Sequence, residues 1–212
     1  MAEKISVKER VYEDVLEHIL SGDYPANAML NEKMLIEKYS ASKTTIREAL
    51  VKLCSQGVLK SIPRCGYQLE MIYPAQIREL VAFRKTIELA ALEAAFPHIG
   101  PEECAQLTKL NEESVRHKAD LDVKMHWTLN NQFHQKLCSF SNNSFYKKAL
   151  SDAMIVSILA SNQYYANVWG QKRQSDARNH VQIVEALAAG DLETTKERLA
   201  ADIEEYLHEI IG

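Results

Sequence analysis

The sequence lacks a hydrophobic run long enough to cross a membrane, and its first residues lack the apolar centre of a secretory signal. These absences argue against a membrane-spanning or exported protein, and we expect a cytoplasmic chain. Four cysteines are present, but no two have the CxxC spacing of metal and redox motifs, so we expect reduced thiols. The apolar fraction of 46% and the charged fraction of 25% are those of a globular protein, which excludes a disordered or fibrous chain.

Charge is distributed unevenly along the chain. The net charge of −4 argues against a protein that coats nucleic acid without regard to sequence. Residues 1–72 nevertheless contain as many cations as anions, whereas residues 73–212 carry the whole acidic excess. Between residues 43 and 64 a single acid, Glu48, faces a group of cations: Lys43, Arg47, Lys52, Lys60 and Arg64. This local basic patch makes the first third of the chain the candidate for binding a polyanion.

Helical periodicity predicts three helices near the N-terminus, at about residues 7–20, 32–39 and within the stretch SASKTTIREALVKL at 40–53. The apolar residues of the last stretch recur at i, i+3, i+4 and i+7: Ile46, Ala49, Leu50 and Leu53. Its cations and hydroxyls therefore lie on the opposite face. Ser42 is suitably placed to cap this helix after a three-residue turn. The pattern is that of a helix-turn-helix, whose second helix enters the major groove of DNA.

After Gly57, the segments VLKSI and YQLEM have the composition of strands, and the turn PRCG joins them. We therefore predict a winged helix-turn-helix with a small two-stranded wing, whose tip carries Arg64 and Gly66. From Ala75 onward the periodicity is almost entirely helical, with five breaks: 97–101, 119–122, 139–144, 170–175 and Gly190. The expected fold is mostly α, with a DNA-binding domain at 1–72 and an all-α bundle of about six helices at 73–212.

The stretch from Tyr12 to Glu70 resembles the DNA-binding domain of the GntR family of bacterial transcription regulators, whose signature centres on Ser/Thr-Arg-Thr-x-(aliphatic)-Arg-Glu-Ala-Leu. The second half is similar to the FCD effector domain of the FadR-like subgroup, in the segments RKTIELAALEAA, NNQFHQKL and NHVQIVEALAAGDLETTKERL. Together these similarities cover nearly the whole chain. They imply a homodimeric repressor or activator that binds a double-stranded DNA operator. In such proteins the helical bundle binds a small, usually acidic metabolite that alters DNA affinity.

The resemblance implies eight DNA-binding residues in this chain: Lys33, Ser42, Lys43, Thr44, Thr45, Arg47, Arg64 and Gly66. Lys33 and Lys43 stand where arginine is frequent in the family. Because lysine is a point charge rather than a bidentate fork, we expect both to bind phosphate. Arg47 is expected to read a base, while Thr44 and Thr45 contact phosphate or a thymine methyl group. The alternative is that these cations are merely solvated, which the turn, the capping serine and the basic wing argue against.

Many FCD domains hold a divalent metal on one Asp and three His, and spacing places those ligands here at Asn130, His134, His180 and Asp202. Two of the four differ from the family pattern, but Asp202 restores the carboxylate that Asn130 lacks. Imidazole and carboxylate suit zinc, nickel, manganese or iron, and water or the effector's own carboxylate can complete the shell. The alternative is a metal-free site in which His180 pairs with Asp202.

Arg84 and Glu88 match the family's R-x-x-x-E on the first helix of the bundle. The match implies that Arg84 binds an effector carboxylate through a bidentate contact. The alternative is an intrahelical ion pair on the surface, which contributes little to stability. The residues expected to bind the effector are Arg84, Asn130, His134 and His180.

Two other functions are compatible with the sequence. A helical metalloenzyme would use His134, His180 and Asp202 to activate water. It would lack an obvious general base and would leave the basic recognition helix unexplained. A dimerisation module with a degenerate pocket would bind no ligand.

Overall fold

The computed structural model describes residues 6–116, 123–164 and 178–211. The chain divides into two units, Met1–Ile72 and Tyr73–Gly212, and the described residues of each form their own core. The sequence prediction placed helix breaks at 119–122 and 170–175, which lie outside the described residues. No described helix combines the length and apolarity needed to cross a membrane.

The N-terminal unit begins with three helices: α1 (Val7–Leu20), α2 (Glu32–Tyr39) and α3 (Lys43–Ser55). Each starts after a polar residue whose side chain accepts a hydrogen bond from a backbone N–H of the first turn. The caps are Ser6, Asn31 and Ser42. The predicted capping role of Ser42 is confirmed, because its Oγ lies 3.1 Å from the Thr45 backbone nitrogen.

A three-stranded antiparallel sheet completes this unit, with β1 (Met29–Leu30), β2 (Leu59–Ile62) and β3 (Gly66–Leu69) in the order β1-β3-β2. The predicted hairpin of β2 and β3 is confirmed as the wing. The sequence analysis missed β1, since a strand of two residues is too short to show alternation. In the wing turn, the backbone nitrogen of Cys65 donates to the Ile62 carbonyl at 3.0 Å, and Arg64 has a φ of 66°.

The C-terminal unit is a helical bundle, as predicted, and in its described part it contains a short 3-10 helix (Phe96–His98) and six α-helices. These are α4 (Pro74–Ala95), α5 (Pro101–Arg116), α6 (Val123–Ser139), α7 (Ser144–Tyr164), α8 (Arg178–Ala188) and α9 (Leu192–Ile211). Helix α4 packs against α6, α7 and α9, so that its middle turns are buried on several sides. Polar side chains in those turns must therefore find partners on the neighbouring helices.

Candidate functional site

Helix α3 has one face exposed to solvent and the other face buried in the core of the N-terminal unit. Its four apolar residues, Ile46, Ala49, Leu50 and Leu53, are fully buried. On the opposite face, Lys43, Thr44 and Arg47 are exposed, while Thr45 is half-buried. The Thr45 hydroxyl lies 2.9 Å from that of Ser42, so both side chains order the start of the helix. The helix is thus anchored by its core face and leaves its cations available to a ligand.

A cleft lies between the start of α2, the exposed face of α3 and the wing. Five of the eight predicted DNA-binding residues line it: Lys33, Lys43, Arg47, Arg64 and Gly66. Thr44 lines a second depression, which shares Lys43 and Arg47 with the cleft and also includes Lys52. The fold therefore gathers cations from two helices and a hairpin onto one surface, which is the charge distribution that a DNA backbone requires.

Gly66 has a structural role that the sequence analysis missed. Its φ of 114° is a conformation that side chains with a Cβ rarely adopt. A Cβ at this position would also lie 2.9 Å from the carbonyl oxygen of Leu30 in β1. Glycine is therefore required at this position for β1 to pair with β3 of the wing, whether or not DNA binds here.

One acid lies among the cations of this cleft. The Glu32 carboxylate accepts a hydrogen bond from Arg47 Nε at 3.1 Å. No sequence pattern links Glu32 to Arg47, because the two residues are 15 positions apart and belong to different helices. Only the fold of the helix-turn-helix brings them together.

The C-terminal unit contains a continuous chain of buried polar contacts. Arg84 Nε donates to Glu88 Oε1 at 2.9 Å, and Glu88 Oε2 lies 2.6 Å from His134 Nδ1. His134 Nε2 lies 3.0 Å from Asp202 Oδ2, and the other oxygen of Asp202 lies 3.6 Å from His180 Nε2. The first three side chains are between 1% and 3% exposed. The intrahelical ion pair of the sequence alternative is present, but its predicted surface location is wrong because both side chains are buried.

Four helices supply the residues of this site. Helix α4 contributes Arg84 and Glu88, α6 contributes Asn130 and His134, α8 contributes His180, and α9 contributes Asp202. The Asn130 amide nitrogen lies 3.5 Å from His180 Nε2. The His180 ring also stacks on Phe133, with ring centroids 3.9 Å apart. The fold thus brings together all four positions that spacing suggested as metal ligands, and all four suggested as effector ligands.

The two buried carboxylates determine the charge of His134. Burial alone would lower the pKa of this imidazole, but the Glu88 and Asp202 carboxylates outweigh it and raise the pKa to about 9. Burial likewise opposes ionisation of Asp202, yet His180 and His134 hold its pKa well below the usual range. The pKa of Glu88 is also lowered, by His134 and Arg84 against the effect of burial. At neutral pH the site therefore contains two carboxylates and an imidazolium.

The donor set fits a divalent metal. His134, His180 and Asp202 each offer a ligand atom, and these atoms lie within 4.8 Å of one another. The contact between Glu88 and His134 Nδ1 orients the imidazole and leaves Nε2 facing Asp202. In proteins, a carboxylate commonly orients a metal-binding histidine through its other ring nitrogen in this way. Spacing and the family resemblance selected these three residues as candidate ligands, but they did not select Glu88, which contacts His134.

The N-terminal unit is a winged helix-turn-helix and the C-terminal unit is a helical bundle with a buried polar site, which together define a class of transcription regulators. The family model "Bacterial regulatory proteins, gntR family" matches residues 7–68, and the model "FCD domain" matches residues 79–205. The chain belongs to the GntR family of bacterial transcription regulators and carries an FCD domain.

Several relatives are regulators by description. The chain is 27% identical over 193 residues to the "Uncharacterized HTH-type transcriptional regulator YdhC" of Bacillus subtilis, covering 90% of this chain and 84% of that protein. It is 28% identical over 120 residues to the "HTH-type transcriptional regulator McbR" of Escherichia coli, covering 56% and 54%. Since the family and these relatives are transcription regulators, the alternative of a metalloenzyme is set aside.

Solved structures share the fold. The structure described as "E. coli McbR/YncC" has a TM-score of 0.82 at 21% identity and is covered over 98% of both chains. A putative GntR regulator from Rhodococcus sp. RHA1 has a TM-score of 0.81 at 21% identity, over 97% of both chains. At these identities the similarity establishes the architecture alone.

Proposed function

We propose that this regulator binds a small carboxylate-bearing metabolite together with a divalent metal in its C-terminal bundle, and that binding changes its affinity for a DNA operator. The observation that carries the proposal is Arg84, which is 1% exposed and whose Nη2 has no hydrogen-bond partner among the described residues. A buried guanidinium N–H without an acceptor is energetically costly. A carboxylate ligand supplies the missing acceptor and matches the planar fork of the guanidinium.

The residues that would hold the metal are His134, His180, Asp202 and Asn130. A divalent ion there supplies a Lewis acid to which an effector carboxylate can bind. Glu88 supports the site by fixing the His134 ring through Nδ1. The Glu88 carboxylate also accepts a hydrogen bond from Arg84 Nε. One acid therefore orients both His134, the proposed metal ligand, and Arg84, the residue proposed to bind the effector carboxylate.

The charges of the site favour an anionic effector. Glu88 and Asp202 offset Arg84 and the protonated His134. His134 must give up its Nε2 proton to bind a divalent ion, so the site then gains net positive charge. A buried excess charge is unfavourable, and a carboxylate ligand restores the balance.

We infer that the N-terminal unit reads its operator through Arg47 and binds phosphates through Lys33, Lys43 and Arg64. In support, all four cations line one cleft. The start of α3 adds backbone N–H groups and the hydroxyl groups of Thr44 and Thr45, and helix N-termini favour phosphate. At the wing, Gly66 would allow the protein backbone to approach the DNA closely.

We further infer that the regulator acts as a homodimer on a pseudo-palindromic operator. A dimer of this class places one recognition helix in each half-site, so the spacing of the two helices determines affinity. An effector that favours one arrangement of the dimer therefore changes DNA affinity without touching a base contact.

The proposal can be tested with full-length protein and a duplex selected from randomised DNA. Small mono- and dicarboxylates are screened by thermal shift with and without Zn²⁺, and those that stabilise the protein are added to DNA-binding titrations. We expect at least one carboxylate to raise the melting temperature and to change the dissociation constant for DNA. In Arg84→Gln both responses should disappear, whereas Arg78→Gln, which changes an exposed arginine of the same helix, should respond like the wild type.

Two outcomes would contradict the proposal. One is that no carboxylate stabilises the protein with any metal. The other is that Arg84→Gln keeps the full response. If Arg84→Gln fails to fold, Arg84→Lys retains the charge but loses the bidentate fork, and it should fold with a weakened carboxylate response.

A further inference from the structure

Glu32 is the single carboxylate among the described residues that line the DNA-facing cleft, where it lies among four cations. A negative charge at this position repels the phosphate backbone, and it costs affinity for every DNA sequence. The four neighbouring cations attract this carboxylate, so it can pair with one of them. Its position therefore calls for a specific partner.

The position of Glu32 is fixed by local structure. It is the first residue of α2, directly after Asn31, whose side chain caps the helix by accepting from the Lys33 backbone nitrogen at 2.8 Å. Carboxylates are favoured in the first turn of a helix by the helix dipole. The Glu32 side chain is 20% exposed, whereas that of Arg47 is 57% exposed. The acid is thus the more buried member of the pair, and its position at the start of α2 holds its carboxylate against the more exposed Arg47.

Glu32 contacts Arg47 through Nε, an atom that is not needed for a bidentate contact of the two Nη groups with a base. Glu32 Oε1 accepts from Nε at 3.1 Å, which leaves the two terminal Nη groups free of this contact. Those two groups form the end of the fork that binds guanine O6 and N7. On the wing side, the buried Tyr67 of β3 lines the same cleft and interacts with Arg47. The guanidinium therefore lies between α2 and the wing.

We infer that Glu32 is a positioning residue for Arg47 and thereby determines sequence specificity in DNA recognition. It lowers affinity for DNA in general but increases the preference for the base pair that Arg47 reads. The inference rests on the proposed function of Arg47 as the base-reading residue.

Glu48 provides a matched control. It lies on α3 next to Arg47, and its carboxylate pairs with Lys8 at 3.3 Å with a side chain that is 53% exposed. Glu48 lines the second depression and not the cleft that contains Glu32. Removing either acid changes the charge of the DNA-binding unit equally, but only Glu32 contacts the Arg47 guanidinium through a described ion pair.

The test measures binding of full-length wild type, Glu32→Ala, Glu32→Gln, Glu48→Ala and Arg47→Ala. The DNA probes are the preferred duplex from a randomised selection and duplexes that differ from it by single base pairs. For Glu32→Ala we expect tighter binding to unrelated DNA and a fall of about fivefold or more in preference at the Arg47 base pair. Glu48→Ala should also bind unrelated DNA more tightly but should keep the preference. Glu32→Gln, whose amide oxygen can still accept from Nε, should fall between Glu32→Ala and the wild type.

Three results would overturn the inference. Glu32→Ala could keep the wild-type preference and only bind all DNA more tightly, which would make Glu32 a general repulsive charge. It could lose preference at a different base pair from Arg47→Ala, which would make Glu32 a direct reader of DNA. These two Glu32→Ala results can be interpreted only if Arg47→Ala loses its preference at one base pair. If Arg47→Ala keeps every preference, the proposed role of Arg47 fails first and the inference fails with it.

Discussion

The two units each contain an Arg–Glu pair with nearly the same geometry but a different environment. Arg47 Nε lies 3.1 Å from Glu32, and Arg84 Nε lies 2.9 Å from Glu88. The first arginine is 57% exposed and the second is 1% exposed. In the exposed pair, water can solvate either charge if its partner is removed. In the buried pair, removal of one partner leaves the other charge without solvation, which destabilises the fold.

The comparison shows how one kind of contact serves two purposes. In the N-terminal unit the pair can orient Arg47 through Nε while its Nη groups remain able to contact DNA. In the C-terminal unit the pair extends into His134 and Asp202, so that a change at one end alters the charge balance of the whole site. The exposed pair matches the proposed role of Arg47 at a DNA-binding surface, and the buried chain matches the proposed role of the bundle in binding an effector.

The largest expected effect comes from breaking the buried pair. Glu88→Gln leaves Arg84 and His134 without their shared carboxylate, and it should lower the free energy of unfolding by about 3–5 kcal/mol. Chemical denaturation of the metal-free protein measures this loss. Glu32→Gln, the same change in the exposed pair, should alter the unfolding midpoint very little. Equal effects of the two substitutions would show that burial does not distinguish the pairs.

The next effect concerns DNA recognition by the exposed pair. Arg47→Ala should reduce the preference for its base pair by about tenfold to a hundredfold, because the bidentate contact is lost. Titrations with single-base-pair variants of the selected duplex measure this change. A uniform loss of affinity for all duplexes would assign Arg47 to phosphate binding instead.

A smaller effect is expected from pH, and it should be confined to the buried chain. In the folded protein the pKa of His134 is raised from 6.5 to about 9, so the stabilisation by its charged form is complete below about pH 6.5 and is lost as pH rises through 9. The melting temperature of chelator-treated protein should therefore fall by several degrees over this range. The fall should be absent in His134→Gln, and an equal fall in that variant would assign it to other groups.

The smallest effect is expected from a phosphate contact. Lys43→Ala should weaken binding to cognate and unrelated duplexes alike, and it should reduce the slope of log affinity against log salt by about one. Affinities measured at several salt concentrations give this slope. A selective loss on the cognate duplex would show that Lys43 reads a base.

Local patterns were sufficient to predict the helix-turn-helix. The apolar spacing of Ile46, Ala49, Leu50 and Leu53 and the capping residue Ser42 lie within one short stretch, and the structure confirms that helix and its cap. Spacing together with family resemblance also placed Asn130, His134, His180 and Asp202 at one site. In both cases the necessary information lies in the identity and spacing of residues.

Distant partners that neither spacing nor the family resemblance links could not be predicted. Glu88 and His134 are 46 positions apart, and no periodic pattern links them. The burial of Arg84 also depends on α6, α7 and α9 packing around α4, which the periodicity of α4 alone does not show. Strand β1 escaped prediction for a related reason, since its two residues become a strand only by pairing with β3.

The measurement that tests the proposed effector site most directly is the metal content of full-length protein purified without chelator or nickel resin. Wild type, His134→Ala and His98→Ala are compared, where His98 is an exposed histidine of the same unit. We expect a stoichiometric amount of a divalent metal in the wild type and in His98→Ala, and its loss in His134→Ala. The absence of metal from the wild type, even after incubation with Zn²⁺, Ni²⁺, Mn²⁺ or Fe²⁺, would contradict a metal-binding effector site.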